Sequence, residues 1–227
     1  MKNINNISIL IALLFLMCPR ALKAQDKFYT STGMEMQFSW AVIKQNGIEA
    51  SSIMRWAPVF NIQTFFNYDL NENFGVFSGI GIRNVGFIYD EDEYTRKKYR
   101  TYNLGVPFGI KAGNLKKLMV FAGYEIEFPF TYKEKTIINE QKSKYKVWFS
   151  GRVPVVYNTL FVGVQLPKGL NLKFKYYLTN FFDKDFVEID QDSGEPFKPY
   201  ESLDVNILFI SLGMNLFKDK DFYFEVD

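Results

Sequence analysis

The sequence predicts an all-β protein, an eight-stranded antiparallel up-and-down transmembrane β-barrel with short periplasmic turns and longer extracellular loops. Three observations lead to this prediction. Eight segments alternate between apolar and polar residues, the connections between them alternate between short and long, and one face of the segments is rich in glycine. Period-two alternation is typical of strands with two different faces, and alternating connection lengths are typical of outer-membrane barrels.

The eight segments and their connections suit a single domain. The segments are 28–40, 60–70, 74–88, 100–112, 117–130, 148–166, 170–182 and 203–217. The tight turns are 69–73, 112–116 and 166–169. The long connections are 41–59, 89–99, 131–147 and 183–202. A soluble β-sandwich can also have eight strands, but it has no reason to alternate its loop lengths so regularly.

The two faces of each segment predict which side of the sheet meets lipid. In segment 170–182, Leu172 and Phe174 share one face, and Lys173 and Lys175 share the other. A soluble, lipocalin-like barrel would bury the apolar face and expose the charges. Glycines and charges instead suit the lumen of a narrow barrel, where space is short and ions can pair. We therefore expect the apolar face to contact lipid.

Aromatic residues near the segment ends on the long-loop side predict a girdle at the membrane interface. They are Trp40, Trp56, Tyr102, Phe128, Phe130, Tyr132, Trp148, Phe181 and Phe182. The general preference of strands for aromatic residues accounts for part of this set.

Residues 1–24 are predicted to be a cleaved signal peptide. Lys2 precedes a short apolar run that is interrupted once, by Ser8, and Ala24 ends an acceptable cleavage site. The run is too short for a membrane-spanning helix. Cleavage would remove Cys18, the single cysteine, so we expect no disulfide and no thiol chemistry in the mature chain.

The mature chain is expected to consist of a barrel, 25–217, and a short C-terminal tail, 218–227. Loss of the signal peptide removes three basic residues, which leaves 24 basic against 25 acidic residues and a formal charge of −1. This balance gives no electrostatic support for a nucleic-acid partner. Export and the predicted fold together predict an integral protein of the bacterial outer membrane.

Six charged residues on the inward faces are expected to form a structural charge cluster in the lumen. They are Glu35, Arg83, Glu125, Glu127, Lys173 and Lys175. Unpaired charges are costly in a narrow, poorly hydrated lumen, so we expect at least one acid–base contact within about 4 Å among them. Glu125 and Glu127 lie about 7 Å apart along one strand face. That spacing can also serve glycoside hydrolysis, but pairing with lysines is the preferred interpretation.

The absence of histidine from the sequence limits the chemistry that the chain can perform. It excludes a Ser-His or Asp-His catalytic device and argues against a transition-metal site. Asp190, Asp192 and Glu195 hint at a calcium loop, but the later bidentate glutamate is missing, and an acidic, solvated loop is the preferred interpretation. We expect no catalytic residue, no cofactor and no metal.

Two long connections differ in charge. Residues 131–146 carry five lysines and two glutamates, and residues 183–202 carry seven acids and two lysines. The lysines of the first connection are Lys133, Lys135, Lys142, Lys144 and Lys146. They are expected either to contact lipopolysaccharide phosphates or an acidic protein partner, or to keep a surface loop soluble. The predicted surroundings are outer-membrane lipid and lipopolysaccharide.

Three stretches carry a resemblance to a known family. They are Tyr102-Asn-Leu-Gly-Val-Pro107-Phe-Gly-Ile-Lys111, Phe121-Ala-Gly-Tyr124 and Ile210-Ser-Leu-Gly-Met-Asn-Leu-Phe217. In these, the chain resembles the small outer-membrane β-barrel proteins of the PorT-like group, which is common in Bacteroidota. The resemblance covers residues 25–217 and implies a barrel in the outer membrane; one member of the group is tied to protein secretion. The tail after Phe217 departs from barrels that end at the aromatic residue of the last strand.

These observations favour a non-enzymatic barrel with a structural or surface-interaction role. A narrow pore or small-solute transporter of porin type is the alternative, although side chains fill the interior of an eight-stranded barrel. A hydrolase that uses Glu125 and Glu127 is a third hypothesis.

Overall fold

The computed structural model describes residues 27–59, 61–190 and 193–218, and its wall is a closed antiparallel barrel. The eight strands are β1 Phe28–Gln45, β2 Ile62–Asp69, β3 Phe74–Asp90, β4 Thr95–Gly113, β5 Met119–Ile138, β6 Tyr157–Gln165, β7 Leu170–Tyr177 and β8 Leu203–Lys218. Each strand pairs with the next along the chain, and β8 pairs with β1 to close the ring. The predicted fold class is confirmed. The predicted signal peptide, 1–24, and all but the first residue of the predicted tail lie outside the described residues.

Short turns close one end of the barrel. The side-chain oxygen of Asn71 accepts hydrogen bonds from the backbone N–H groups two and three residues later, both at 2.8 Å. Asn114 holds the turn between β4 and β5 in the same way. The turn between β6 and β7 places Lys168 and Gly169 at φ angles of 65° and 77°. Asparagine and glycine are common in such turns because they tolerate these conformations and Asn can bond the local backbone.

At the opposite end, the predicted connection 41–59 is largely strand. β1 runs on to Gln45 and then turns at Asn46 and Gly47, whose φ angles are 54° and 80°. An Asn-Gly pair with two positive φ angles is the favoured tight hairpin turn. The chain returns through three short strands, Ile48–Ala50, Ser52–Ile53 and Arg55–Ala57, which pair with β1 or β3.

The predicted connection 131–147 is also strand. β5 continues to Ile138, and a further strand, Gln141–Trp148, pairs with it as a hairpin. The predicted strand 148–166 is therefore wrong over its first half, because β6 begins at Tyr157. A hairpin that projects into water needs no apolar face, so lysine and serine fill it and the usual apolar–polar alternation is absent.

The barrel is apolar outside and polar inside. Leu172 and Phe174 are 47% and 44% exposed, whereas Lys173 and Lys175 are 3% and 0% exposed. The same parity holds along β1, where Glu35 is buried. A barrel in water would reverse this arrangement, since exposed apolar bands of this size are unfavourable there. The outward face therefore matches a hydrocarbon environment.

The upper lumen, at the long-loop end, is filled by aromatic and aliphatic side chains. The connection after β7 folds back into this opening with Phe181, Phe182 and Tyr200, which are all buried, and the rings of Phe182 and Tyr200 stack with centroids 4.2 Å apart. Phe181 is fixed there because its backbone N–H donates to the carbonyl of Val205 at 2.8 Å. The loop thus closes the barrel from inside.

Three residues of the predicted aromatic girdle point into the lumen, so that part of the prediction is wrong. Tyr132, Phe181 and Phe182 are at most 2% exposed and lie in the lumen. Trp56 and Trp148 are more than half exposed, as residues on the outer wall should be. The inward fold of the loop carries Phe181 and Phe182 into the lumen. Tyr132 points inward because the register of β5 against β4 shifts by one residue between Pro129 and Thr131, which reverses the alternation of the strand.

The polarity of the wall can be tested with single cysteines in a chain expressed without residues 1–24, which has no other thiol. In the folded, lipid-embedded barrel, a membrane-dissolved maleimide should label Phe174→Cys readily, because that position faces hydrocarbon. It should label Lys173→Cys poorly, because that position faces the filled lumen. Full labelling of Lys173→Cys by a water-soluble maleimide, with Phe174→Cys silent to both reagents, would contradict the assignment.

Candidate functional site

The structure brings the six lumen charges together at mid-height of the barrel. Lys173 Nζ lies 2.5 Å from Glu35 Oε1, and Arg83 Nε lies 2.8 Å from Glu125 Oε1. Lys175 Nζ lies 2.7 Å from Glu125 Oε2 and also contacts Glu127. We call these residues the lumen charge cluster: Glu35, Arg83, Glu125, Glu127, Lys173 and Lys175. The cluster contains three acids and three bases and is formally neutral.

The ion pairs of the cluster cross the lumen. Glu35 is on β1 and its partner Lys173 is on β7, whereas Arg83 is on β3 and its partner Glu125 is on β5. Lys175 joins β7 to β5. None of these strand pairs is hydrogen-bonded through the backbone. The cluster therefore links four alternate strands that the sheet itself does not join directly.

Neutral side chains add hydrogen bonds to two of the carboxylates, those of Glu35 and Glu127. Gln63 donates from Nε2 to Glu35 Oε1 at 2.5 Å, and Asn103 donates from Nδ2 to Glu127 Oε2 at 2.7 Å. The hydroxyl of Tyr177 donates to the Glu127 carboxylate at 2.8 Å. Hydrogen bonds of this kind are what a buried ion pair needs to offset the loss of hydration.

Glu125 and Glu127 have no access to a substrate. Their side chains are at most 1% exposed, and both carboxylates contact Lys175. A glycosidase needs one carboxylate on each side of a bound sugar, with room for the sugar between them. The space between these two is occupied by an ammonium group, so the geometry gives no support for hydrolysis.

A second ion pair, which the sequence did not identify, lies nearer the short-turn end. Lys111 Nζ is 2.7 Å from Asp69 Oδ1 and also contacts Tyr29 and Asn67. It joins β4 to β2, again across an intervening strand. The alternation of β4 predicts that Lys111 points into the lumen. Its partner Asp69 is the last residue of β2, next to a turn, where alternation no longer predicts the direction of a side chain.

The free space in the lumen is small. A cavity of about 40 Å³ lies between the lumen charge cluster and Lys111, which is room for about two or three water molecules. Above the cluster, the hydroxyl of Tyr157 donates to the carbonyl of Phe181 at 2.7 Å and ties the folded-in loop to the wall. The lumen is thus closed at two levels.

An ion pair between loops holds this cap. Arg152 Nη1 and Nη2 donate to the two carboxylate oxygens of Glu188 at 2.9 and 2.5 Å, and Nη1 also donates to Tyr200 at 3.2 Å. These hydrogen bonds lower the pKa of the Glu188 carboxyl from its usual 4.5. The sequence did not identify this pair. Arg152 lies in a turn, and Glu188 lies in a two-residue strand that pairs with Pro196–Phe197, so no alternating pattern relates the two.

The expected absences concern metals and spanning helices. Within the described ranges, no group of three or more His, Cys, Asp or Glu side chains is arranged to hold a metal ion. Asp190 accepts hydrogen bonds from the backbone and hydroxyl of Ser193 at 2.8 and 3.0 Å, whereas Asp192 lies outside those ranges. In the same part of the chain, no helix is long and apolar enough to cross a membrane.

The fold is that of a small eight-stranded transmembrane β-barrel, with an apolar outer wall and a charged lumen. No protein-family model matches the chain, and no curated protein matches it. Similar solved structures include Ail, the attachment invasion locus protein of Yersinia pestis, in complex with the heparin analogue sucrose octasulfate. Ail is 11% identical, with a TM-score of 0.39 over 84% of this chain and 99% of Ail.

Two further structures show the same level of similarity. Neisserial surface protein A is 9% identical, with a TM-score of 0.39 over 83% of this chain and 97% of its own. The outer-membrane protein OprG of Pseudomonas aeruginosa is 10% identical, with a TM-score of 0.35 over 86% of this chain and 97% of its own. The similarity to these three proteins is one of fold.

Removal of one acid from the lumen charge cluster should destabilise the barrel strongly. Glu125→Gln leaves the buried Arg83 and Lys175 without their shared carboxylate, and breaking a buried ion pair in this way costs about 3–5 kcal/mol. Urea unfolding in phospholipid vesicles measures the loss. Glu93→Gln, at an exposed loop tip, is the matched control and should change little. Equal unfolding midpoints for the two variants would contradict the pairing.

The Arg152–Glu188 pair should hold the cap at neutral pH and release it in acid. A carboxyl whose pKa is lower in the folded state stabilises that state above its unfolded pKa, and the contribution is lost as the pH falls through the folded pKa. Hydrogen exchange of residues 183–200 at pH 7 should therefore be faster in Glu188→Gln than in the unsubstituted chain. The difference should begin to shrink below the usual glutamate pKa of 4.5.

Glu201→Gln is the control for this measurement, because Glu201 is an exposed acid close to the same loop. This substitution should leave the hydrogen exchange of residues 183–200 unchanged at pH 7 and also below pH 4.5. Equal exchange in all three proteins at pH 7 would show that the ion pair does not hold the cap.

Proposed function

We propose that the protein is a non-enzymatic integral outer-membrane protein whose barrel is a closed, rigid support for the surface at its long-loop end. One observation carries the proposal: the lumen charge cluster fills the barrel at mid-height and ties four alternate strands together. A wall braced in this way suits a structural or surface-interaction role.

The proposal includes export and membrane insertion. Residues 1–24 act as a signal peptide that is cleaved after Ala24, residues 25–217 form the barrel, and residues 218–227 form a short tail. The short turns face the periplasm and the long hairpins face the exterior, as loop length indicates in barrels of this class. The chain is placed with the PorT-like group on the resemblance of its β4, β5 and β8 sequences.

A pore or small-solute transporter fits the interior less well. A conducting barrel needs a continuous water-filled path, whereas here the path is closed by the lumen charge cluster and again by the aromatic residues around Phe181. The proposed contacts are therefore on the outside: outer-membrane lipid and lipopolysaccharide along the wall, and a protein partner at the long loops.

Planar-bilayer recording separates the two functions. The folded protein should insert without conductance steps under conditions in which a known porin gives them, because the lumen has no open path. Ion-selective steps from the unsubstituted protein, with a selectivity that changes in Lys173→Gln, would show that ions pass the lumen charge cluster. That result would overturn the proposal in favour of a narrow pore.

A further inference from the structure

Six cations form two rows on the outer wall at the long-loop end. In the first row, Arg100, Lys133 and Lys146 stand opposite one another on three neighbouring strands. In the second row, Lys98, Lys135 and Lys144 do the same. We call these six residues the cation ladder. Opposite residues on paired strands have Cβ atoms about 4.5–5.5 Å apart, and successive rows lie about 7 Å apart. Six positive charges are therefore confined to one small patch.

The cation ladder is electrostatically unbalanced. Like charges placed directly opposite each other destabilise a sheet. Within the part of the chain that the structure describes, none of the six cations forms a salt bridge. The lumen charge cluster, by contrast, matches every base with an acid. An unmatched cationic patch is the arrangement expected where an anionic ligand supplies the missing charge.

The ladder is on the side of the wall that meets lipid. Arg100 alternates with Tyr99 and Thr101, which are buried in the lumen, so its side chain points outward. Two residues further towards the membrane, Tyr102 lies under the Lys133 ammonium, which is 4.7 Å from its ring centroid.

Trp148 marks the same boundary on the neighbouring strand. The Lys146 ammonium is 4.9 Å from the Trp148 ring centroid, and Trp148 stacks on Phe130 at 6.0 Å. Aromatic rings on the outer wall sit at the membrane–water interface. The cation ladder begins directly above these rings, at the depth of lipid headgroups.

A cleft beside the ladder gives a ligand room to enter. Its volume is about 610 Å³, and all six cations of the ladder line it together with Arg55 and Trp56. Arg55 is 4% exposed and donates to Asn84 at 3.2 and 2.5 Å, without a carboxylate partner among the described residues. Arg55 therefore adds positive charge beneath the cleft, and Trp56 adds an exposed apolar ring beside it. Glu134 also lines the cleft, but its carboxylate accepts a hydrogen bond from the Tyr132 hydroxyl at 2.9 Å and pairs with none of the six cations, all of which the structure describes.

We propose that the cation ladder binds the phosphate groups of an outer-leaflet glycolipid of the lipid A type. Phosphate oxygens are strong acceptors for lysine and arginine, and several close cations are needed to hold more than one phosphate. The ladder lies on the outer wall above an aromatic boundary, so its ligand is anchored in the membrane beside the barrel and is not a soluble polyanion. This inference rests on the proposed function, because it needs the long-loop end to face the exterior.

Titration of the folded barrel with lipid A in zwitterionic micelles tests the inference. Each cation near an anionic surface strengthens binding about fivefold. The paired variants Lys133→Gln with Lys146→Gln, and Lys135→Gln with Lys144→Gln, should therefore each weaken binding roughly 25-fold. The matched control is Lys116→Gln with Lys117→Gln, which removes two exposed lysines at the short-turn end and should leave binding within about twofold.

A second measurement is independent of affinity. The four-lysine variant carries all four substitutions, Lys133→Gln, Lys135→Gln, Lys144→Gln and Lys146→Gln. Without anionic lipid, it should unfold at a higher denaturant concentration than the unsubstituted protein, because the repulsion across the rows is removed. Added lipid A should raise the unfolding midpoint of the unsubstituted protein and leave that of the variant unchanged. The electrophoretic shift between folded and unfolded barrels verifies that every variant folds.

Three results would overturn the inference. Unchanged lipid A binding by the folded four-lysine variant would place the lipid elsewhere. Absence of lipid A binding by the unsubstituted barrel would exclude the ligand. Binding of soluble heparin as tightly as lipid A, lost in the same variants, would identify a soluble polyanion as the ligand.

Surface labelling separates these failures from failure of the proposed function. A cysteine at Glu140, at the tip of the hairpin that carries the ladder, should react with an impermeant maleimide on intact cells. Labelling without lipid A binding would sink the inference alone. An unreactive Glu140→Cys on intact cells would contradict the proposed orientation, and with it both proposals.

Discussion

The structure depends on charge neutrality in a lumen that is too narrow for bulk water. Arg83, Lys173 and Lys175 are each buried, and a buried cation without a partner would cost several kcal/mol. The barrel meets this constraint with Glu35 and Glu125, among others, placed on strands that are not backbone neighbours. Because each ion pair reaches across an intervening strand, the same contacts that neutralise the lumen also brace the wall. The apolar exterior has the same origin. Successive side chains of a strand point to opposite faces, so the apolar residues that alternate with the lumen charges lie on the outer wall.

Much of this could be predicted from the sequence, because parity along a strand is a local property. Lys173 and Lys175 alternate with Leu172 and Phe174, which separates the two faces of the strand, and the glycines on the charged faces identified those faces as the lumen side. Glycine reinforces the same interpretation: a side chain at Gly105 would collide with the Glu125 carboxylate, so the lumen face needs glycine where charges converge. Properties that depend on strand alternation and close packing could therefore be predicted from the sequence.

Features that depend on contacts between segments far apart in the chain could not be predicted from the sequence. The strand Gln141–Trp148 has polar residues on both faces, so its sequence resembles a loop, although β5 supplies all of its backbone partners. Phe181 and Phe182 follow a strand end, where a girdle is expected, but the loop carries them back into the lumen. Arg152, in a turn, pairs with Glu188, in a two-residue strand far along the chain, and no periodic pattern connects them. Each of these depends on how segments far apart in the chain meet.

Charged residues are paired at one end of β5 and unpaired at the other. Inside the barrel, β5 contributes Glu125 and Glu127 to a cluster in which acids and bases are equal in number. Beyond the membrane boundary, the same strand contributes Lys133 and Lys135 to rows in which every neighbour is also a cation. Water tolerates repulsion that a sealed lumen does not, because its high dielectric constant weakens each pair. The excess charge can therefore persist only above the aromatic boundary, which is also where the phosphates of an outer leaflet would meet it.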